Sequence, residues 1–134
     1  MLLIKKIFVY CSRFQEHIGN GDISVFMSMG MILFATYLYL TGISTGILFF
    51  WVDVMNNQAV LDLKTLTFCN TVICCLLGGW FYLKYIRGYR LKETLSIEIS
   101  LTDKVIAIVF VIGGILCLCA VFAFMGAVNN GFIF

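Results

Sequence analysis

Three stretches of the chain carry no charged residue, and each is long enough to cross a lipid bilayer. They cover residues 23–52, 65–83 and 105–134, and a bilayer span needs roughly 20 predominantly apolar residues. Only 12% of the chain is charged, about half the share found in a soluble domain. The sequence therefore predicts an all-α membrane protein, one integral membrane domain over residues 1–134, whose third transmembrane helix occupies residues 104–128.

The N-terminal arm, residues 1–18, carries too many charges for a span and repeats its apolar residues at helical spacing. The apolar positions share one face (Ile4, Ile7, Phe8, Cys11, Phe14 and Ile18). This pattern predicts an amphipathic helix lying in the headgroup plane, with docking on a partner or on a later loop as the alternative. The sequence GNGD that follows predicts a helix stop, with Asp22 as the N-cap of the first span.

Small and polar residues inside the spans predict where the helices approach each other. Gly42 and Gly46 form a GxxxG motif in the first span, and Gly113 and Gly114 form a glycine pair in the third. Such residues allow close backbone approach, either within the chain or to a second copy. Asn70 is the one strongly polar side chain of the second span, so it is expected to hydrogen-bond to another helix.

The stretch YLKYIRGYRLKE at residues 82–93 has the highest density of charged residues in the chain. Its basic residues follow the second span rather than lie within it, which favours membrane anchoring over voltage sensing, with a site for a partner or for anionic lipid as the alternative. A net charge of +2 gives no support to a nucleic-acid partner, which requires a folded basic surface. The residues predicted to anchor the chain at the membrane boundaries are Lys84, Arg87, Arg90, Trp51 and Trp80.

The distribution of Lys and Arg predicts the orientation of the chain. Eight of the nine lie before the first span or between the second and third, and only Lys64 lies in the loop after the first span. Because short cytoplasmic loops accumulate positive charge, the N-terminus and the basic loop at residues 84–103 are predicted to be cytoplasmic. The tail at residues 129–134 is then predicted to lie outside.

Apolar and polar residues alternate over residues 94–101, at the end of the basic loop. This period of two predicts a strand-like segment that lies on the membrane surface, pairs with its copy in a dimer or adds to a partner's sheet, with an extended tether as the alternative. Ser100 and Asp103 predict a capping box that opens the third span. The candidate partner contacts are the apolar residues of this loop and of the tail (Leu95, Ile97, Ile99, Phe132 and Phe134).

No constellation of residues indicates catalysis or cofactor binding. His17 is the only histidine, and the six cysteines lack the spacing of a metal site. Five of those cysteines fall in predicted spans, where cysteine packs as a small apolar residue. The sequence therefore predicts a chain that is not an enzyme and that holds neither a metal ion nor a cofactor.

Two segments resemble parts of known small membrane proteins. They are GDISVFMSMG at the start of the first span and SIEISLTDKVIAIVF at the start of the third. With the amphipathic arm, they resemble the layout of small multi-pass bacterial membrane proteins. Some of these are immunity partners of toxins in contact-dependent antagonism systems. The resemblance implies a protein that neutralises an effector in the inner membrane by binding it. The lack of a reactive cluster favours the same class, a non-enzymatic chain that binds a protein partner as an immunity protein or as an accessory or assembly subunit. The alternative is a subunit of a small homo-oligomeric channel or transporter.

Overall fold

A computed structural model describes residues 2–54, 62–87 and 90–130. Every regular element in those residues is helical. The α-helices are α1 (Leu2–His17), α2 (Ser24–Phe49), α3 (Leu63–Phe81), α4 (Arg90–Leu95) and α5 (Leu101–Asn129). Three segments are long and apolar enough to cross a membrane, namely Ser24–Val52, Leu63–Lys84 and Leu101–Asn129. The prediction of an all-α chain with three candidate spans is therefore confirmed.

The central helix is α2, because α1, α3 and α5 all pack against it, and its interface with α5 is the most extensive. Among the described residues, α3 and α5 make at most marginal contact with each other. The three candidate spans therefore form an open row in the order α3, α2, α5. This arrangement leaves one side of α3 and most of α5 uncovered by protein.

The first span is one continuous helix, since α2 runs on into a π-helical turn at Phe50–Val54. Its 29 residues extend about 43 Å at 1.5 Å per residue. This exceeds a hydrocarbon core of about 30 Å, so the helix must either tilt or project from the bilayer.

The helix ends follow local sequence signals in most places. Gly19, two residues after the last residue of α1, has a φ of 93°, a left-handed conformation that is common at this position beyond a helix end. The capping box predicted for α5 is confirmed, because Ser100 and Asp103 cap each other's backbone amides. The prediction for Asp22 is wrong, since residues 21–23 form a 3-10 turn and the N-cap of α2 is Ile23.

Helix α1 forms where it was predicted, but its interfacial position is not confirmed. Phe8, Val9 and Ser12 are fully buried, because α1 packs against α2 and α5. Ile4 and Phe14 of the predicted apolar face are more than 40% exposed. On the buried face the hydroxyls of Ser12 and Ser24 lie 3.5 Å apart, and the ring of Phe8 packs edge-on against that of Phe81 in α3. The arm is thus a fourth packed helix at one end of the bundle.

The predicted strand-like loop is not confirmed, as residues 2–54, 62–87 and 90–130 contain no strand. Leu95 ends helix α4, and residues 96–100 have no regular structure. The alternation in sequence matches an alternation in burial instead. Leu95, Ile97 and Ile99 are partly buried against the core, and the polar residues between them are exposed. The end of α4, a turn from Thr94 to Ile97 and an irregular segment therefore place these apolar side chains on the bundle without a pairing partner.

Candidate functional site

The GxxxG motif of the first span lies in the interface between α2 and α5. A Cβ added to Gly42 would lie 3.1 Å from the Cys117 Sγ and 3.4 Å from the Leu118 backbone. A Cβ added to Gly46 would lie 3.4 Å from a methyl carbon of Val121. Both glycines thus face a helix of the same chain and bring the two backbones close together.

The glycine pair of the third span lies in the same interface, nearer the N-terminus of α5. A Cβ added to Gly114 would lie 2.9 Å from the backbone oxygen of Ala35. A Cβ added to Gly113 would overlap the hydroxyl of Tyr39, whose ring packs against Phe110 with the centroids 5.6 Å apart. These contacts fix α5 against α2 at backbone distance.

Asn70 lies in the interface between α2 and α3. It is only 5% exposed, and its side-chain amide donates a hydrogen bond of 2.9 Å to the Ser44 hydroxyl. About two helical turns after Asn70, on the same helix, Gly78 packs against the side chain of Leu33. Asn70 and Gly78 thus mark the line along which α3 is held to α2.

The predicted anchoring residues lie at both ends of the spans. Lys84 stands over the ring of Trp80, with its Nζ 4.7 Å from the ring centroid. Arg87 and Trp51 are exposed. Arg90 is the first residue of α4. These positions are compatible with contact to lipid headgroups and water, as cation and indole side chains favour that boundary.

The candidate partner contacts of the loop are drawn toward the chain itself. Arg13 of α1 donates hydrogen bonds of 3.3 and 3.2 Å to the backbone oxygens of Leu95 and Ile97. With Ile99, these apolar side chains pack against the core. The surface that was expected to be free for a partner is thus largely used within the chain. The tail residues Phe132 and Phe134 lie outside the described residues.

The sequence reading missed an ion pair that fastens α1 to α5. The Lys6 Nζ lies 2.9 Å from a carboxylate oxygen of Asp103. The same oxygen accepts hydrogen bonds from the backbone amide and the hydroxyl of Ser100. Asp103 therefore completes the α5 cap and also receives the N-terminal arm. The capping box was readable from the sequence, but its basic partner lies 97 positions away and carries no local signal.

An apolar cleft of about 190 Å³ opens beside α2, and no motif in the sequence pointed to it. Four helices contribute to its walls, with Ile4 and Ile7 from α1 and Trp80 from α3. The base is buried, because Ile7 is 4% exposed, whereas Ile4 and Trp80 at the rim are 41% and 45% exposed. The one hydroxyl in the wall, from Thr36, donates its hydrogen bond to the backbone oxygen of Ile32.

The described residues contain no group of three or more His, Cys, Asp or Glu side chains that could hold a metal ion. All six cysteines are free thiols. Burial raises the pKa of the Cys11 thiol to about 11, so this group is kept protonated and poorly nucleophilic at neutral pH. At the start of α3, hydrogen bonds from Thr65 hold the pKa of the Asp62 carboxyl below its usual range. These two groups act as packing and capping groups.

Comparison with known proteins gives no family. The chain matches no protein-family model, and neither the curated proteins nor the solved structures give a match. Any inference about function therefore depends on the chain's own residues and contacts.

Proposed function

We propose that this chain is a non-enzymatic multi-pass membrane protein that acts by binding a protein partner in or at the membrane. The partner would be a membrane-targeting toxin, which the chain neutralises, or a complex in which it serves as an accessory or assembly subunit. The supporting observation is the open row of spans. Only 11% of the apolar window of α5 is buried, and α3 packs mainly against α2, with Phe81 at its end in contact with Phe8 of α1.

The outer half of α5 offers the best-defined surface for such a partner. Ala120 and Ala123 are exposed, and a Cβ added to Gly126 would meet nothing within 4 Å. Small residues let a second transmembrane helix approach closely. By contrast, Gly42 and Gly114 are already engaged with neighbouring helices of this chain.

The same proposal places the N-terminus in the cytoplasm and the C-terminus outside, in a bacterial inner membrane. The Lys6–Asp103 ion pair and the Arg13 hydrogen bonds bring α1 to the end of the bundle where α5 begins. Eight of the nine Lys and Arg residues then belong to one end, and Lys64 to the other. This asymmetry supports a cytoplasmic position for the basic end.

The alternative function is a subunit of a homo-oligomeric channel or transporter. Its polar candidate is the Thr41 hydroxyl, which has no hydrogen-bond partner in the described part of the chain but is buried inside the chain rather than exposed to a pore between copies. The hydrogen bond between Asn70 and Ser44 weighs against it, because this amide is committed to holding α3 on α2.

Site-specific photo-crosslinking in membranes of the native host tests the partner proposal. A photoreactive residue at Ala123 should give one stoichiometric heterologous adduct, identifiable by mass spectrometry. The matched control is Ala107 on the same helix, which is fully buried and should give only intramolecular products. Equal adducts at both positions, or only lipid adducts at Ala123, would count against the proposal. Ion flux from the pure protein in liposomes would favour the channel instead.

Reporter fusions test the orientation separately. A fusion after Asn57 should report the outside, and one after Arg90 the cytoplasm. A cytoplasmic signal after Asn57 would overturn the assignment, whatever the partner experiment gives.

A further inference from the structure

The apolar cleft formed by α1, α2, α3 and Phe110 of α5 is unsuited to a polar ligand. Its wall is formed by aliphatic and aromatic side chains, and the Thr36 hydroxyl is already satisfied by the backbone of its own helix. A polar ligand placed there would lose its hydrogen bonds to water and gain none. The part of a ligand that lies inside the cleft must therefore be hydrocarbon.

The size of the cleft limits how much hydrocarbon it can hold. Pockets for whole drug-sized ligands measure roughly 300–1,000 Å³, and this cleft measures about 190 Å³. It can take part of a chain whose remainder continues along the exposed rim. Leu77 and Trp80 form that rim on α3 and are 44% and 45% exposed. An acyl chain that enters from the surrounding lipid fits this shape.

The charge beside the cleft identifies the headgroup. Trp80 lines the cleft, and the Nζ of Lys84 lies 4.7 Å from the centroid of its ring. Arg87 follows on the same end of the bundle and is exposed. Basic side chains at the headgroup level attract anionic lipids, and the Trp80 ring suits the boundary between hydrocarbon and headgroup.

We propose that this cleft is a binding site for one anionic phospholipid. One acyl chain lies between Ile4 of α1 and Leu77 of α3, and the lipid phosphate contacts Lys84. The bound lipid lies between α1 and α3, beside the contact of Phe8 with Phe81. This site is independent of any protein partner on the outer half of α5.

Native mass spectrometry of the full chain in mild detergent tests the proposal, with phosphatidylglycerol and phosphatidylethanolamine supplied in equal amounts. The wild-type protein should retain one phosphatidylglycerol in preference. Leu77→Trp fills the rim and should reduce retention at least tenfold. The matched control is Leu76→Trp, because Leu76 is 69% exposed and does not line the cleft. This control should leave retention unchanged.

A second pair of variants tests the same site from α1, so the proposal remains testable if the first pair misfolds. Ile4→Trp fills the cleft from α1, and Leu3→Trp places the same ring on an exposed neighbour outside it. Thermal unfolding of all four variants shows which are folded. Only the two cleft variants should lose the lipid.

The headgroup is tested by charge removal. Lys84→Gln should lower the preference for phosphatidylglycerol over phosphatidylethanolamine by about fivefold. Lys64→Gln, at the other end of the bundle, should not change it. Equal retention by cleft and control variants would mean that only non-specific surrounding lipid is bound. Equal retention of both lipids by the wild type would refute the anionic headgroup. Either result overturns the proposal.

Discussion

Replacing Gly114 with alanine tests the close contact between α2 and α5. The new Cβ would lie 2.9 Å from the Ala35 backbone oxygen and 3.3 Å from its Cα. Ordinary contacts between carbon atoms fall at about 3.5–4.0 Å. The obstacle is backbone rather than a flexible side chain, so the two helices must move apart by roughly half an ångström or more.

The expected magnitude follows from two opposing effects. Overpacking of this kind typically costs about 1–3 kcal/mol, and replacing a helical glycine with alanine returns up to about 1 kcal/mol of helix propensity. Gly126→Ala is the matched control, because the added Cβ would meet nothing within 4 Å on the same helix. The propensity gain is common to both variants, so the Gly114 variant should be less stable than the control by about 1–3 kcal/mol.

The assay is equilibrium unfolding of the purified protein in mixed micelles, followed by circular dichroism as the denaturing detergent is increased. Gly46→Ala should fall between the two variants, since its Cβ would meet only a movable methyl group of Val121 at 3.4 Å. Equal free energies of unfolding for the Gly114 and Gly126 variants would refute the reasoning. They would show that α2 and α5 are not held at backbone distance.

Three further predictions concern the other contacts. Asn70→Ala should lower the free energy of unfolding by about 1 kcal/mol in the same assay, because the interhelical hydrogen bond to Ser44 is lost. The Cys11 thiol should react with iodoacetamide at pH 8 roughly two hundredfold more slowly than an ordinary thiol, because its pKa of about 11 leaves very little thiolate. Lys6→Gln should speed that alkylation, since α1 loses its ion pair with Asp103.

Each of these variants has a control within the chain. Thr71→Ala removes a hydroxyl that donates to the Thr67 backbone oxygen of its own helix and should change stability less than Asn70→Ala. Lys104→Gln removes an exposed charge next to the cap and should not change the alkylation rate of Cys11. His17→Cys places an exposed thiol on α1 and supplies the reference rate. Fast alkylation of Cys11 in the wild type would contradict the packed position of α1.

Much of the fold could be predicted from the sequence because the lipid bilayer requires each span to be one continuous run of apolar residues. A run of about 20 apolar residues is sufficient to define a span, and all three runs correspond to long helices in the structure. The capping box at Ser100 and Asp103 was readable for the same reason, since its two members are three positions apart. The small size of Gly42 and Gly114 was enough to predict that helices approach closely there. The sequence did not show which helix packs against each glycine.

Only the tertiary structure decided how α1 and the basic loop are used. The apolar spacing of α1 suits a lipid surface and a protein groove equally well, and the choice depends on Ser12 and Phe8 fitting against α2 and α3. Likewise, the alternation at Leu95 and Ile97 suits a strand in a sheet, but the structure has a helix end and a turn there, with both side chains packed on the core. The ion pair between Lys6 and Asp103 joins residues 97 positions apart, and the apolar cleft exists only where four helices meet. Local periodicity records which side of a segment is apolar, but only the packed chain determines what covers that side.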